Sequence, residues 1–570
     1  MIENEKENEK EKEKKQLSML QKQLLIVACC AVGFVILFLT YLFILAPIIA
    51  KIKIPDSITI KIILDDNGKE TDKRVVKNKK GEILETLLPG EIIDEKSYLK
   101  NPRILITEKV ERANIKSVQV QNPEDNYKLI HHLGNNTYYV EGAELVPING
   151  EIIASFFTNA GYLLSMVRVA AGGVDNGDEI LADLEQFGLN PENPASYFIV
   201  TKTDNTWYKI IIADKIPTSG GYYIMYEDKD GLRPAIYIVD TTIEDTILST
   251  RYSIMLPAIT EPIKFNESYL IDNFKFYKGR DLFVHIYEGP IDADSDVYVN
   301  HMMAYPAPYM VSDNYSSLLS FITSVMGDRV VYAFGIDDEI TEEILTEYGF
   351  DEYTAKITFD FKDREYFLVY SKPNENGNYY VMTDYFSIVE VSPEKLKIEG
   401  IPQPFLDWDI LKFIAKNIFD YNINAVASIE IKVPGKEDAF FTIEPDPNSG
   451  KERDRIVKGN GKDLIVDGGF RDFYYSILSI DLTDFIALES EIDEYSQKEP
   501  MAQMIITMND TLGGIVRDYK FYFVEEYTQR CFYTINGIGD FYVPRRKVVK
   551  LINDTELILQ NLPIDREAPE

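Results

Sequence analysis

One order of patterned segments occurs three times along this chain, and it constrains the fold more than any motif does. The stretch Asn149–Ala170, NGEIIASFFTNAGYLLSMVRVA, places apolar residues at Ile152, Ile153, Phe156, Phe157, Ala160, Leu163, Leu164 and Val167. That three-four spacing predicts one buried helix face. It returns at Leu318, Leu319, Ile322, Val325 and Met326, behind the helix-start residues Ser312-Asp313-Asn314. A less regular copy lies at Phe470, Phe473, Tyr474, Ile477 and Ile480. LEQFGLNPENPASYFIV (Leu184–Val200) follows the first helix and LTEYGFDEYTAKITFDF (Leu345–Phe361) the second.

Three strand-like runs then close each copy. They are 207–213, 222–226 and 235–240 in the first, 365–370, 379–383 and 386–391 in the second, and 519–524, 531–535 and 540–544 in the third. Each alternates or is wholly apolar and is bounded by Gly, Pro, Asn or Asp, as strands are. Strand-like runs also precede the helix at 115–142 in copy one and at 427–433 and 440–443 in copy three. The expected fold class is α+β, with three strand–helix–strand modules built on antiparallel or mixed sheets. The expected boundaries are 104–262, 263–400 and 401–570. Before them, 51–103 reads as a juxtamembrane β-rich segment, with a hairpin in SITIKIILDDNGK (57–69) around Asn67-Gly68.

Leu24–Ala50 is twenty-seven residues without a charge. As a helix, even Leu24–Ala46 would reach about 34 Å, enough to cross a hydrocarbon core. The core is too long for a cleavable signal, and Ile48-Ile49-Ala50 is a poor cleavage site. Ile26-Val27-Ala28-Cys29 has the form of a lipoprotein box, but only five apolar residues precede Cys29, so the apolar region is misplaced for lipidation. An uncleaved transmembrane signal anchor at 24–50 is the better reading. Residues 4–23 hold six Lys and residues 51–70 hold four, which biases the tail 1–23 to the cytoplasm. Residues 51–570 are then extracytoplasmic, and the protein is single-pass in the plasma membrane.

The net charge of −34 removes nucleic acid from the expected partners. Three Cys exclude a disulfide scaffold, and Cys531 alone lies beyond the span. Hydrophobic content of 45% excludes wholesale disorder. Five N-x-S/T tripeptides, Asn135 and Asn266 among them, are expected by chance in an Asn-rich chain.

Motifs for chemistry are few. His131 and His132 are adjacent in an expected strand, so their side chains diverge; His285 and His301 lie elsewhere. No zinc motif occurs. Asp292, Asp294 and Asp296 begin like a calcium loop, which fails at Val297 and again at Met303. Gly459-Asn460-Gly461-Lys462 lacks Walker spacing, with Asp463 after the Lys. Ser392-Pro393-Glu394-Lys395 and Ser312-Asp313-Asn314 have the composition of penicillin-binding motifs in reverse order, without K-T-G, and read as helix caps. Tyr222-Tyr223 and Tyr379-Tyr380 read as strand residues with one ring of each pair in the core, not as a carbohydrate platform. Lys73, Arg74, Lys77, Lys79 and Lys80 read as a solvated basic loop near the anchor, with anionic lipid as the alternative contact. No catalytic, cofactor or metal residue is assigned.

The stretch from Ile104 to Pro262 resembles the bacterial domain-of-unknown-function family 4340. The resemblance rests on the amphipathic segment 150–170, on FGLNPENPASYFIV (187–200) and on IADKIPTSGGYYIMYEDKDGLRPAIYIVD (212–240), with Ala213 where that family often has Gly. It covers about 160 residues directly. It implies a signal-anchored extracytoplasmic bacterial protein, similar to accessory components of ABC-type transporters of the gliding-motility type. The expected function is non-catalytic binding or scaffolding beside a transporter permease and ATPase, because stacked modules create extended surfaces. Two alternatives stand beside it: a cell-envelope hydrolase built on unrecognised carboxylates, and a surface adhesin or carbohydrate binder.

Overall fold

The computed structural model describes residues 58–64, 68–260, 263–289, 301–449, 454–483 and 487–566, with Gly33, Val35 and Phe38 in helical conformation. The tail 1–23, the rest of the run 24–50 and the acidic segment Asp292–Asp296 lie outside the described residues. Among the described residues no helix is long and apolar enough to cross a membrane. The fold is mixed α+β, rich in strand and poor in helix, on four sheets. The chain divides into two compact units, residues 1–115 with 157–244 and residues 116–156 with 245–570.

β1 (Thr59–Leu64) pairs antiparallel with β2 (Glu70–Lys77), as a hairpin there requires, although Asn67 of the expected turn lies outside the described residues; β2 in turn pairs with β3 (Ile83–Leu87). Ile58, Val76, Leu87, Ile93, Tyr98 and Ile104 form the core beneath this sheet. A meander follows, β4 (Ile115–Gln121), β5 (Asn126–His132) and β6 (Thr137–Val140), in the order β6-β5-β4. After helix α1 (Gly150–Gly161) come β7 (Val167–Ala171), the short α2 (Gly177–Leu181), β8 (Ser196–Lys202), β9 (Trp207–Lys215), β10 (Gly221–Asp228), β11 (Gly231–Leu232) and β12 (Ala235–Asp240). These run β8-β9-β10-β12-β7, with β11 beside β10.

Past the short α3 (Arg251–Ile254) a second series of strands begins. A meander of β13 (Ile271–Lys278), β14 (Asp281–Glu288) and β15 (His301–Tyr305) precedes α4 (Asp313–Ile322). Then come β16 (Arg329–Ala333), α5 (Glu342–Glu347), β17 (Ala355–Phe361), β18 (Arg364–Tyr370), β19 (Tyr379–Thr383) and β20 (Ser387–Val391). Their order is β15-β14-β13-β17-β18-β19-β20-β16. In the last third, β21 (Val426–Lys432), β22 (Ala439–Pro445), β23 (Arg455–Gly459) and β24 (Lys462–Asp463) precede α6 (Arg471–Leu478) and α7 (Glu489–Ser496). After them run β25 (Ala502–Met508), β26 (Val516–Phe523), β27 (Arg530–Ile535) and β28 (Ile538–Pro544), followed by α8 (Arg545–Leu559). That order is β24-β23-β22-β21-β25-β26-β27-β28.

β7 and β16 hold the same place, antiparallel to the last strand of their series. In the third series Thr483 N donates to Tyr542 O (2.8 Å) and Ala487 N to Asp540 O (2.7 Å) beside the last strand.

All three helices are shorter than their apolar spacing predicts. Leu163, Leu164 and Val167 are not helical. The backbone at Gly161 approaches Val110 so closely that a Cβ would sit 2.4 Å from its carbonyl oxygen. Beyond it, Ile106 N donates to Leu163 O and Ser165 N to Ile104 O, both at 2.9 Å. Met326 and Ile480 likewise leave their helices: Met326 bridges Ala258, and Ile480 O accepts from Ile418 N (3.1 Å). Leu163 and Ile480 stay buried and Leu164 half-buried although their backbone has changed partner, whereas Val167 and Met326 are exposed, so the apolar spacing outruns the helix.

These crossings are two-sided. In the second unit, Asn149 N donates to Ile254 O (2.9 Å) and Leu256 N to Pro147 O (2.7 Å); Pro257 O then accepts from Gly327 N (2.7 Å). The same occurs at 413–418. Ser312 N donates to Phe413 O (2.9 Å) and Ala415 N to Met310 O (2.7 Å), while Lys416 O accepts from Leu482 N (2.7 Å). Each strap therefore bonds the residues before one helix with its first half and the residues after the next helix with its second.

Side chains reinforce the strap at 413–418. Tyr309 is 3% exposed and packs edge-on against Phe541 (5.3 Å) and Tyr533 (6.5 Å), its hydroxyl donating to Asp540 (3.1 Å). Arg517 of β26 is 1% exposed and donates to Pro308 O (2.9 Å) and the Tyr421 hydroxyl (3.0 Å). Its guanidinium also lies 5.1 Å from the Tyr421 ring centroid.

In the first unit, the β1–β3 sheet is locked down by charge. Glu91, fully buried, accepts from Arg168 Nη1 (2.5 Å), the Tyr237 hydroxyl (2.6 Å) and Leu88 N (2.7 Å). Arg168 Nη2 pairs with Glu85, and Arg74 donates to the Glu91 carbonyl (2.5 Å).

Candidate functional site

A cleft of about 540 Å³ opens at the strap 413–418 in the second unit. Its walls come from 310–314 at the start of α4, from positions within 411–420, and from Leu482 and Thr483 beyond α6. It exists because the strap must bend between its two partners, leaving space where backbone pairing switches sides. Ile414 and Leu482 give it an apolar floor, being 4% and 6% exposed. Several polar side chains are held by backbone: the Ser312 hydroxyl donates to Lys412 O (2.6 Å), Asn314 Nδ2 to the same oxygen (3.2 Å), and the Thr483 hydroxyl to Tyr542 O (3.1 Å). Asp313, Lys416, Asn417 and Asp420 also line the cleft, and among the described residues their side chains make no hydrogen bond or ion pair. Two carboxylates, one ammonium and one amide over an apolar floor can hold a polar or zwitterionic group by charge pairing.

The serines expected to cap helices occupy cap positions, but neither side chain makes the cap bond. Ser312 precedes α4 with its hydroxyl turned to Lys412. Ser392 precedes the 3-10 helix Pro393–Leu396, with Pro at the first turn as expected and no side-chain cap bond. Lys395 is engaged by Gly327 O (2.7 Å) and Asp328 (3.0 Å).

The histidines are dispersed. His131 is buried, 2.9 Å from Asn136 Oδ1 and stacked on Tyr138, while His132 is exposed, so the two diverge. His285 lies 3.0 Å from Asn273 Oδ1, and His301 lies 3.1 Å from Ile271 O; burial lowers the pKa of both. Among the described residues no three His, Cys, Asp or Glu side chains come together as a metal-holding group. Gly459-Asn460-Gly461-Lys462 is the tight turn joining β23 to β24, with φ of +49° at Asn460 and +79° at Gly461. Tyr223 packs edge-on against Phe187 (4.9 Å) and Tyr380 against Tyr348 (5.1 Å), while Tyr379 is buried.

The basic cluster is not one loop. Lys73 and Arg74 lie on β2 and reach Gly172 O (3.3 Å) and Glu91 O (2.5 Å), leaving Lys77, Lys79 and Lys80 at the β2–β3 turn. Sequence reasoning did not single out the cleft, whose walls are about 170 residues apart in the chain.

Cys531 is fully buried with its sulfur 3.3 Å from Met501 Sδ, and burial pushes its thiol up to about 12 against the lowering effect of Arg545. Alkylation of the native protein at pH 8, read by peptide mass, should leave Cys531 unmodified until the chain is denatured. Modification without denaturant would contradict this burial.

No protein-family model, curated protein or solved structure matches the chain.

Proposed function

We propose that this is a single-pass, plasma-membrane-anchored extracytoplasmic protein that binds or scaffolds rather than catalyses. In this reading it serves an ABC-type transport system as an accessory component. Its ectodomain would be three copies of one module. The observation that carries the reading is the repeated topology. Before each helix a meander runs back from its last strand to its first, with three strands in the first two segments and four in the third, and beside it in all three lie four later strands in sequence order. Joined modules of this kind offer surfaces and joints, and the cleft lies at one such joint. Leu24–Ala50 would serve as the anchor engaging a permease within the bilayer.

Mild-detergent isolation of the full chain from its own membranes, followed by mass spectrometry, tests this. Co-isolation of an ABC permease and ATPase is the expected result, with Asn417→Trp, which fills the cleft, reporting whether that joint is part of the contact. Isolation of the protein alone would overturn the transporter assignment and direct a screen of the ectodomain against cell-wall glycans and peptides.

A further inference from the structure

We infer that the turn between β2 and β3 rests on an anionic lipid headgroup layer, in the membrane spanned by Leu24–Ala50. The inference depends on that segment being a membrane anchor, and it adds a second point of attachment.

The register places the turn next to the anchor. Thr59, the first residue of β1, pairs with Lys77, and Lys77 pairs with Ile83. The chain therefore enters the sheet at the same end as the Asn78–Glu82 turn. Eight residues separate Ala50 from Thr59. Even fully extended they span at most about 29 Å, so the turn cannot lie far from the bilayer surface.

The turn is also built to present what it carries. Asn78 Oδ1 accepts from Lys80 N (2.9 Å) and Glu82 N (3.1 Å), and Gly81 N donates to Asn78 O (2.9 Å). Gly81 has φ +82°, the left-handed conformation such a turn requires. Glu82, the one acidic group of the turn, accepts from Asn78 Nδ2 (2.6 Å). Lys79 and Lys80 are exposed and Lys77 half-buried. Beside them Ile83 and Leu84 are 60% and 40% exposed, although both lie at the start of a strand.

A basic tip in a chain of net charge −34 is a local exception. Lysines flanking exposed aliphatic side chains are the composition that partitions into an interface, the cations meeting lipid phosphates and the aliphatic groups entering the headgroup–acyl boundary. Lys73 and Arg74 of the same run face the protein instead, which restricts the lipid contact to the turn.

The test uses the full chain in lipid nanodiscs, with Leu84→Cys carrying an environment-sensitive fluorophore and Cys29 and Cys30 replaced by alanine. Discs of phosphatidylcholine alone are compared with discs containing one quarter phosphatidylglycerol. The expected result is emission about twofold higher in the anionic discs, quenched by headgroup-proximal doxyl lipid and reversed by about 0.5 M salt. K79E/K80E should abolish the difference. Because the salt titration uses the unreversed turn, it stands even if that variant misfolds. Full-chain protein that stays in the discs through an alkaline wash, yet shows equal emission in both lipids, overturns the inference while the anchor stands. Protein that washes out of the discs overturns the anchor and this inference with it.

Discussion

Arg168→Met is expected to destabilise the first compact unit by about 3–5 kcal/mol, because it leaves a fully buried carboxylate without its cation. The Arg168 side chain is 5% exposed and Glu91 is fully buried. Water cannot replace the missing partner there, and among the described residues the Tyr237 hydroxyl and Leu88 N would remain as donors to the Glu91 carboxylate. The two tryptophans make the measurement selective. Trp207 lies in the first unit and is 37% exposed, whereas Trp408 lies in the second and is fully buried. Urea unfolding followed at the red edge, where the exposed indole emits, should show the first unit's transition at lower denaturant while that of Trp408 stays in place. Arg168→Met with Glu91→Gln should recover part of the loss, since the uncompensated charge is gone.

The pH dependence gives a second handle. Burial raises the pKa of Glu85, and Arg168 opposes that rise. Without the arginine, burial acts with less opposition, so the folded-state pKa moves further above the unfolded value. A carboxyl shifted that way destabilises when ionised, so the variant's deficit should shrink as pH falls from 7 toward about 5. A deficit below about 1 kcal/mol, or one that grows on acidification, would show that the network does not hold the sheet.

The second large effect belongs to Tyr309. Tyr309→Ala removes a ring packed against Phe541 and Tyr533 and should cost about 3–5 kcal/mol. Tyr309→Phe keeps the ring and loses only the bond to Asp540, a cost of about 1.5–3 kcal/mol at a charged acceptor. Because the contact joins the meander side of the second series to β27 and β28, the expected calorimetric result is specific. The second unit should melt as one transition in the unsubstituted chain and as two in Tyr309→Ala. Equal and small losses in both variants would mean that the seam depends on the backbone strap alone.

The strands closing each series were legible because they are short, dense in aromatic and β-branched residues, and bounded by turn residues. AIYIVD and YYVMT coincide with β12 and β19 to the residue. The meander before α4 was not legible. Asn273 has φ +51°, and the β13 register slips between Asp272 and Lys275, so the alternation that marks a strand is broken. Helix α8 was missed for a related reason. Its buried face includes Asp554 and Thr555, so polar residues interrupt the apolar spacing. Asp554 is buried because Ser476 and Lys550 (2.9 Å) satisfy it, which only the packed fold reveals. Helix ends were overextended because apolar residues continue past them, some still buried (Leu163, Ile480) and some exposed (Val167, Met326), after the backbone has changed partner. The cleft depends on three distant segments converging, and local pattern carries no sign of that.

The straps bear on how such a chain could have grown by duplication. Leu256 is bonded back to Pro147 and the very next residue, Pro257, forward to Gly327; Ala415 and Lys416 repeat the arrangement. A copied block ending at either junction would carry both halves of its own pairings, whereas a cut a few residues away would strand half a pairing in each daughter. The stretch from Pro257 to Ala415 keeps both halves of its own pairings at both junctions. With no residue to spare between the two pairings of each strap, an insertion at 256/257 or 415/416 would be the smallest change able to turn that joint into a hinge.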